Sequence, residues 1–158
     1  MITPAKFALM FAAVALSAQT VEASRPDAKL WNGTWHLDAA ASKWGAPGKE
    51  VSETRSYDYS GGKLSMKSSA KDTAGKETNF TYSAACDGKA VPMVGNARAD
   101  SISIACVSGS EIKATSRLHG KVTVQSTATV SGDGKHLTLK RSYVGMKGAP
   151  SEVLQFKR

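Results

Sequence analysis

Five Gly-Lys dipeptides punctuate this chain, at Gly62-Lys63, Gly75-Lys76, Gly88-Lys89, Gly120-Lys121 and Gly134-Lys135. Glycine accepts the positive φ of a tight turn, and the segments between the dipeptides are rich in β-branched and aromatic residues. The first three marks are 13 residues apart, which leaves room for strands of about 8–10 residues. Regular hairpins of this kind predict an all-β chain. The expected fold is a single antiparallel up-and-down barrel of about 8–10 strands with little helix. Strands are expected at 33–37, 51–59, 63–71, 77–86, 100–107, 111–119, 121–131, 136–144 and 151–157. Residues Ser24 to Asn32 read as a polar entry segment. Asp38 to Lys43 (DAAASK) reads as one helical turn with Asp38 as its N-cap.

The first residues read as an address. Lys6 is followed by an apolar run, Phe7 to Leu16, and then by Val21-Glu22-Ala23, which offers small residues for a cleavage site. The run is too short to cross a bilayer. The expectation is a signal peptide over 1–23, cleaved after Ala23 or less favourably after Ala18, and a domain over 24–158. The alternative is an uncleaved core helix. The implied location is periplasmic or secreted, and no later apolar run is long enough for a membrane span. The formal net charge is +8. The basic residues are scattered over turns and strand faces, with no compact Arg-rich block, so no nucleic-acid partner is expected.

Cys86 and Cys106 are the two cysteines, each near the end of an expected strand. By alternation, Cys86 shares a face with Phe80 and Tyr82, and Cys106 with Ile102 and Ile104. An even count in an exported chain then points to a disulfide; two buried free thiols are the alternative. The same alternation gives the interior. Leu64, Met66, Phe80, Tyr82, Ile104, Leu118 and Val124 are the expected cavity wall.

Two strands break the apolar-inside rule. Arg55, Tyr57 and Tyr59 lie on the face of Val51 and Glu53, and Arg141 and Tyr143 continue the face of Leu137 and Leu139. An arginine inside a barrel keeps its charge and needs a partner. One reading is an anionic ligand held by Arg55 and Arg141 and oriented by Tyr57, Tyr59, Tyr82 and Tyr143. The competing readings are that Arg55 pairs with Glu53 or with an aspartate near the barrel mouth, or that the faces point outward as Arg-Tyr stacks. Glu53 is the one acid on these two inward faces.

Gly33-Thr34-Trp35, followed by the segment through Lys43 and by hairpins such as Ser131-Gly132-Asp133-Gly134-Lys135, resembles the Gly-x-Trp start of the lipocalin and fatty-acid-binding (calycin) families. It is similar above all to small exported bacterial lipocalin-like proteins. The resemblance implies that Trp35 closes the barrel bottom, with Arg141 or Arg158 packed over it. Arg141-Ser142-Tyr143 resembles the carboxylate-holding Arg-x-Tyr of fatty-acid-binding proteins, but here a further strand follows it. The helical lid of those proteins looks missing or reduced to one turn.

Little else suggests chemistry. His36 is expected to face outward, and His119 and His136 sit at turns, so no metal site is expected. No phosphate-cradling loop or nucleophile elbow is present, and no cofactor is implied. The leading reading is an exported binding protein for a small, partly apolar anionic ligand. One alternative is a cofactor-free isomerase or lyase in which Tyr57 or Tyr143 acts as acid or base beside Arg55 or Arg141. The other is a packed barrel that acts through its surface as an inhibitor or interaction protein.

Overall fold

The computed structural model describes residues 24–45, 50–148 and 150–158. The expected signal peptide lies outside them. One short helix, α1 (Ala28–Trp31), precedes ten strands: β1 (Gly33–Lys43), β2 (Glu50–Ser60), β3 (Lys63–Asp72), β4 (Glu77–Ala85), β5 (Val91–Pro92), β6 (Ser101–Cys106), β7 (Glu111–Leu118), β8 (Lys121–Val130), β9 (His136–Tyr143) and β10 (Ser151–Lys157). All pairings are antiparallel, in the order β4-β3-β2-β1-β10-β9-β8-β7-β6-β5. Apart from β4 and β5, which stand at the two ends of the order, strands adjacent in sequence are adjacent in the sheet, and β1 pairs with β10, so the sheet wraps into a nearly closed up-and-down barrel. The Gly of each Gly-Lys pair has φ between 68 and 78°, as the turns require.

A seam remains where the first and last members of that order meet. Thr81 and Val94 exchange backbone hydrogen bonds of 2.9 and 3.0 Å across it, and Asp87 bridges to Ala105. Gly95 passes so close to β4 that a Cβ there would lie 2.1 Å from the Asn79 carbonyl oxygen. The disulfide Cys86–Cys106, with a Cα separation of 5.2 Å, ties the end of β4 to the end of β6 across the same seam. The two cysteines therefore join the edges that the hydrogen-bond ladder leaves least connected.

One end of the barrel is sealed. Trp31, Trp35, Leu64, Ile104, Leu137, Leu154 and Phe156 are fully buried. Within the polar entry segment, Ala28–Trp31 forms α1, capped by the Asp27 carboxylate, which accepts from the Lys29 N–H at 2.9 Å. This turn drives Trp31 into the barrel, where its indole N–H donates to the Gly109 carbonyl at 2.9 Å. The Trp35 indole N–H in turn donates to the Trp31 carbonyl at 3.3 Å. Arg158 lies 4.4 Å over the Trp35 ring and donates to the carbonyls of Asn32 and Lys29, at 2.9 and 3.3 Å. Of the two arginines proposed to cover Trp35, Arg158 holds that place, and Arg141 sits in the interior.

The helical turn expected at Asp38–Lys43 is absent; β1 runs through it. The capping chemistry survives as a bulge. Asp38 accepts from the Ala41 N–H at 3.2 Å, and the Ser42 hydroxyl donates to the Asp38 carbonyl at 2.7 Å. The register slips between Asp38, opposite Gln155, and Lys43, opposite Val153. Flanking residues keep pairing with β10, so the local turn is absorbed into the strand. Val91–Pro92, outside the expected strands, adds the short strand β5.

Two outcomes are expected. Trp35→Ala removes a fully buried indole and the platform beneath Arg158, and should lower unfolding free energy by about 3–5 kcal/mol in urea titration; an unchanged midpoint would contradict the sealed end. Denatured, non-reduced protein should show no free thiol, and Cys86→Ser with Cys106→Ser should cost about 3 kcal/mol on a chain-entropy estimate.

Candidate functional site

Opposite the sealed end, the interior opens into a cavity of about 210 Å³. Trp31, Tyr57 and Leu64 form its floor, and Met66, Phe80, Ile102, Ile112 and Leu139 its apolar sides. Its upper wall carries Glu50, Glu53, Arg55, Arg141 and Tyr143, and its rim Asp72, Lys76 and the stretch Asn96 to Ala99. Alternation along β2 and β9 aims the polar groups inward. Arg55 and Tyr57 are buried, and so is Tyr143.

Of the expected wall, Leu64, Met66, Phe80, Tyr82 and Val124 line the cavity. Ile104 is buried in the core but does not line it. Leu118, the last residue of β7, is half-buried near the open end and outside the lining. Tyr59 also lies outside the lining. It is one step nearer the sealed end than Tyr57 and packs against the core there. Val51, expected on the face of Glu53, is 48% exposed. A bulge between Glu50 and Ser52 reverses the alternation at that point and turns Glu50 into the cavity.

The charges inside are matched by carboxylates. The Arg55 Nε donates to Glu53 at 2.6 Å, and Glu53 also accepts from the Ser68 hydroxyl at 2.7 Å. The Arg55 guanidinium reaches the Tyr57 oxygen at 3.5 Å and lies 5.3 Å from the Phe156 ring centroid. The Arg141 Nε lies 2.5 Å from Glu152, a buried acid directly opposite it on β10, and the Tyr143 hydroxyl donates to the same oxygen at 2.7 Å. The Arg141 Nη2 is 3.9 Å from Glu50. Arg55 thus takes the paired arrangement with Glu53. Glu53 is not the lone interior acid, since Glu152 and Glu50 join it.

Among the described residues the Arg141 Nη2 makes no hydrogen bond, nor do the second oxygens of Glu50 and Glu53. Burial works against the Glu53 carboxylate, but Arg55 and Arg141 outweigh it and hold its pKa below the ordinary value. Burial likewise works against the Arg55 charge, and Glu53 outweighs it to raise that pKa. Glu50 goes the other way. Burial pushes its pKa up, with Glu53 and Glu152 adding to the push and Arg141 only partly opposing it. Burial also raises Tyr82, and raises Tyr143 to about 12. Both phenols therefore stay protonated near neutral pH, and Tyr143 donates its proton to Glu152.

Glu152 was readable by period two, since it precedes Leu154 and Phe156 on their face. Glu50 was not, because the bulge that turns it inward leaves no mark in the alternation. His36, His119 and His136 are exposed, and no group of three metal-binding side chains occurs among the described residues.

The raised Glu50 pKa has a definite sign. The folded state holds this proton more tightly than the unfolded chain, so ionising Glu50 costs stability above its folded pKa and nothing well below the ordinary carboxylate value. Glu50→Gln should therefore raise the melting temperature at neutral pH, with the gain shrinking to nothing near about pH 4. Equal melting temperatures at both ends of that range would overturn the assignment.

No family model matches the sequence, and no curated protein matches it significantly. Among solved structures, the chain is similar to zebrafish ileal bile acid-binding protein complexed with cholic acid. The identity is 14%, the coverage 82% of this chain and 98% of that one, and the TM-score 0.53. It is also similar to a redesigned β-barrel at 12% identity, with 87% and 98% coverage and a TM-score of 0.51. At these identities the likeness shows the fold alone, a nearly closed antiparallel up-and-down barrel.

Proposed function

We propose that this chain is a binding protein whose barrel cavity takes a small, partly apolar molecule, with an acidic group of the ligand received by Arg141. The observation that carries this reading is the Arg141 Nη2, buried and without a hydrogen bond, in the upper wall of a cavity whose floor and sides are apolar. A buried donor with no acceptor is costly, and a ligand carboxylate or phenolate would supply one. Arg55 is already engaged by Glu53 and Tyr57, so the two arginines do not form a symmetric clamp. The volume of about 210 Å³ lies below the ~300–1,000 Å³ of drug-sized sites. It favours one ring or a short chain over a sterol or a long fatty acid.

The rival readings have less support. A filled barrel acting through its surface would not need this cavity. An isomerase or lyase using Tyr143 as its base requires a lowered phenol pKa, whereas burial raises that pKa to about 12. Export to the periplasm or beyond remains part of the proposal, supported by the leader-like sequence and by the disulfide, which suits an oxidising compartment.

Calorimetry with hexanoate, benzoate and related acids tests the reading, with oleate and cholate as size controls. The short acids should bind and the large ones should not. Arg141→Met alone leaves Glu152 buried without its cation and should destabilise the fold by about 3–5 kcal/mol. Arg141→Met with Glu152→Gln removes both charges and keeps an acceptor for Tyr143. That double variant should fold and lose binding. Failure of every acid to bind, or equal binding by the double variant, would sink the proposal.

A further inference from the structure

Three carboxylates, Glu50, Glu53 and Glu152, face two guanidiniums, Arg55 and Arg141, across the upper cavity. With all five ionised, one negative charge is in excess. Glu53 and Glu152 are each bound within 2.6 Å of an arginine nitrogen, and each accepts a hydroxyl hydrogen bond as well. Glu50 is held far more loosely. Among the described residues its one ion-pair contact is the 3.9 Å approach to the Arg141 Nη2, and its second oxygen has no hydrogen-bond partner. It occupies that place only because the bulge at the start of β2 turns it inward.

Other charged groups face this point from the rim. From β3, Asp72 sits opposite Glu50 in register and lines the same rim; its carboxylate is engaged by the turn amides of Ala74 and Lys76. Lys76 and Arg98 lie at the rim, and Tyr143 of β9 donates to Glu152. Tyr57 and Tyr82 lie deeper. A ligand carboxylate entering this wall would bring a fourth carboxylate to two guanidiniums. Two like charges sharing one cation in a half-buried site are unfavourable unless one takes a proton.

Resting on the binding reading above, we infer that Glu50 is a displaceable internal counter-ion of Arg141, and that the cavity takes a monocarboxylate together with one proton. The ligand carboxylate replaces Glu50 on the Arg141 Nη2, and Glu50 takes the proton from solvent as it leaves. No covalent bond changes. The charge inside the cavity is the same before and after binding, which is the condition that makes entry of an anion feasible here. The upward-shifted Glu50 pKa is in the direction this exchange needs. Glu50 thus sets both the specificity for acids over neutral isosteres and the pH at which they are held.

The test is titration calorimetry of hexanoate and benzoate in buffers of different ionisation enthalpy, repeated across pH, with the parent protein and Glu50→Gln. The parent should take up close to one proton per ligand above the folded pKa of Glu50. Its affinity should fall about tenfold per pH unit there. Glu50→Gln should bind with no proton uptake, more tightly at neutral pH, and with a flat profile. Carbon-13 NMR of the empty protein should show Glu50 titrating above an ordinary glutamate. A probe that binds the parent without proton uptake, or the same pH profile in both proteins, overturns the exchange while leaving the binding reading intact. If neither protein binds either acid at any pH, the binding reading itself fails and the exchange falls with it.

Discussion

Arg55 and Arg141 cannot shed their charge, and the upper interior is arranged around that fact. A guanidinium stays protonated under any condition the fold survives, so a barrel that encloses one must also enclose an acceptor. Each arginine here has an acid in its own neighbourhood of the sheet. Glu53 stands two residues from Arg55 on the same strand face, and Glu152 stands directly across from Arg141 on β10. Ser68 and Tyr143 then occupy hydrogen-bonding positions that the carboxylates would otherwise leave empty. Polar groups bound this way keep the upper half of the barrel from filling with aliphatic side chains, and the cavity is the space that remains.

The two ends of the barrel are held by different forces. At the sealed end, indole, phenyl and aliphatic groups pack without exposure, and Arg158 stitches the last residue to α1 and Trp35. The ladder there is continuous from β2 through β1 to β10. At the seam the ladder thins to single backbone pairs, and a covalent bond between Cys86 and Cys106 replaces what hydrogen bonding does elsewhere. The open end relies on the ion pairs. Changes in protonation are therefore felt first around the cavity mouth, while the hydrophobic base is indifferent to them.

Bulges decide what the cavity contains. Strict alternation would put Val51 inside and Glu50 outside; the slip between Glu50 and Ser52 does the reverse. A second slip, between Ser116 and Arg117, places its extra residue, Thr123, on β8. The first shifts the side-chain phase by one residue, so a local irregularity exchanges an apolar group for a charged one. The loosely held Glu50 is a product of the first of these.

Much of this was determined by the sequence itself. The Gly-Lys marks demand positive-φ turns, and period-two alternation assigns Arg55, Tyr57, Arg141 and Tyr143 to the interior, because both are properties of the local backbone. The pairing of Cys86 with Cys106 followed from the same alternation. Glu152 was accessible by the same rule applied to the last strand. The tertiary structure alone decided which acid meets which arginine, because cross-strand register is set by the whole sheet. It alone placed Arg158 rather than Arg141 over Trp35, since that contact joins the two ends of the chain. It also turned Asp38–Lys43 into strand, because pairing with β10 outweighs a single capped turn, and it brought Glu50 inward through a bulge that no periodicity announces.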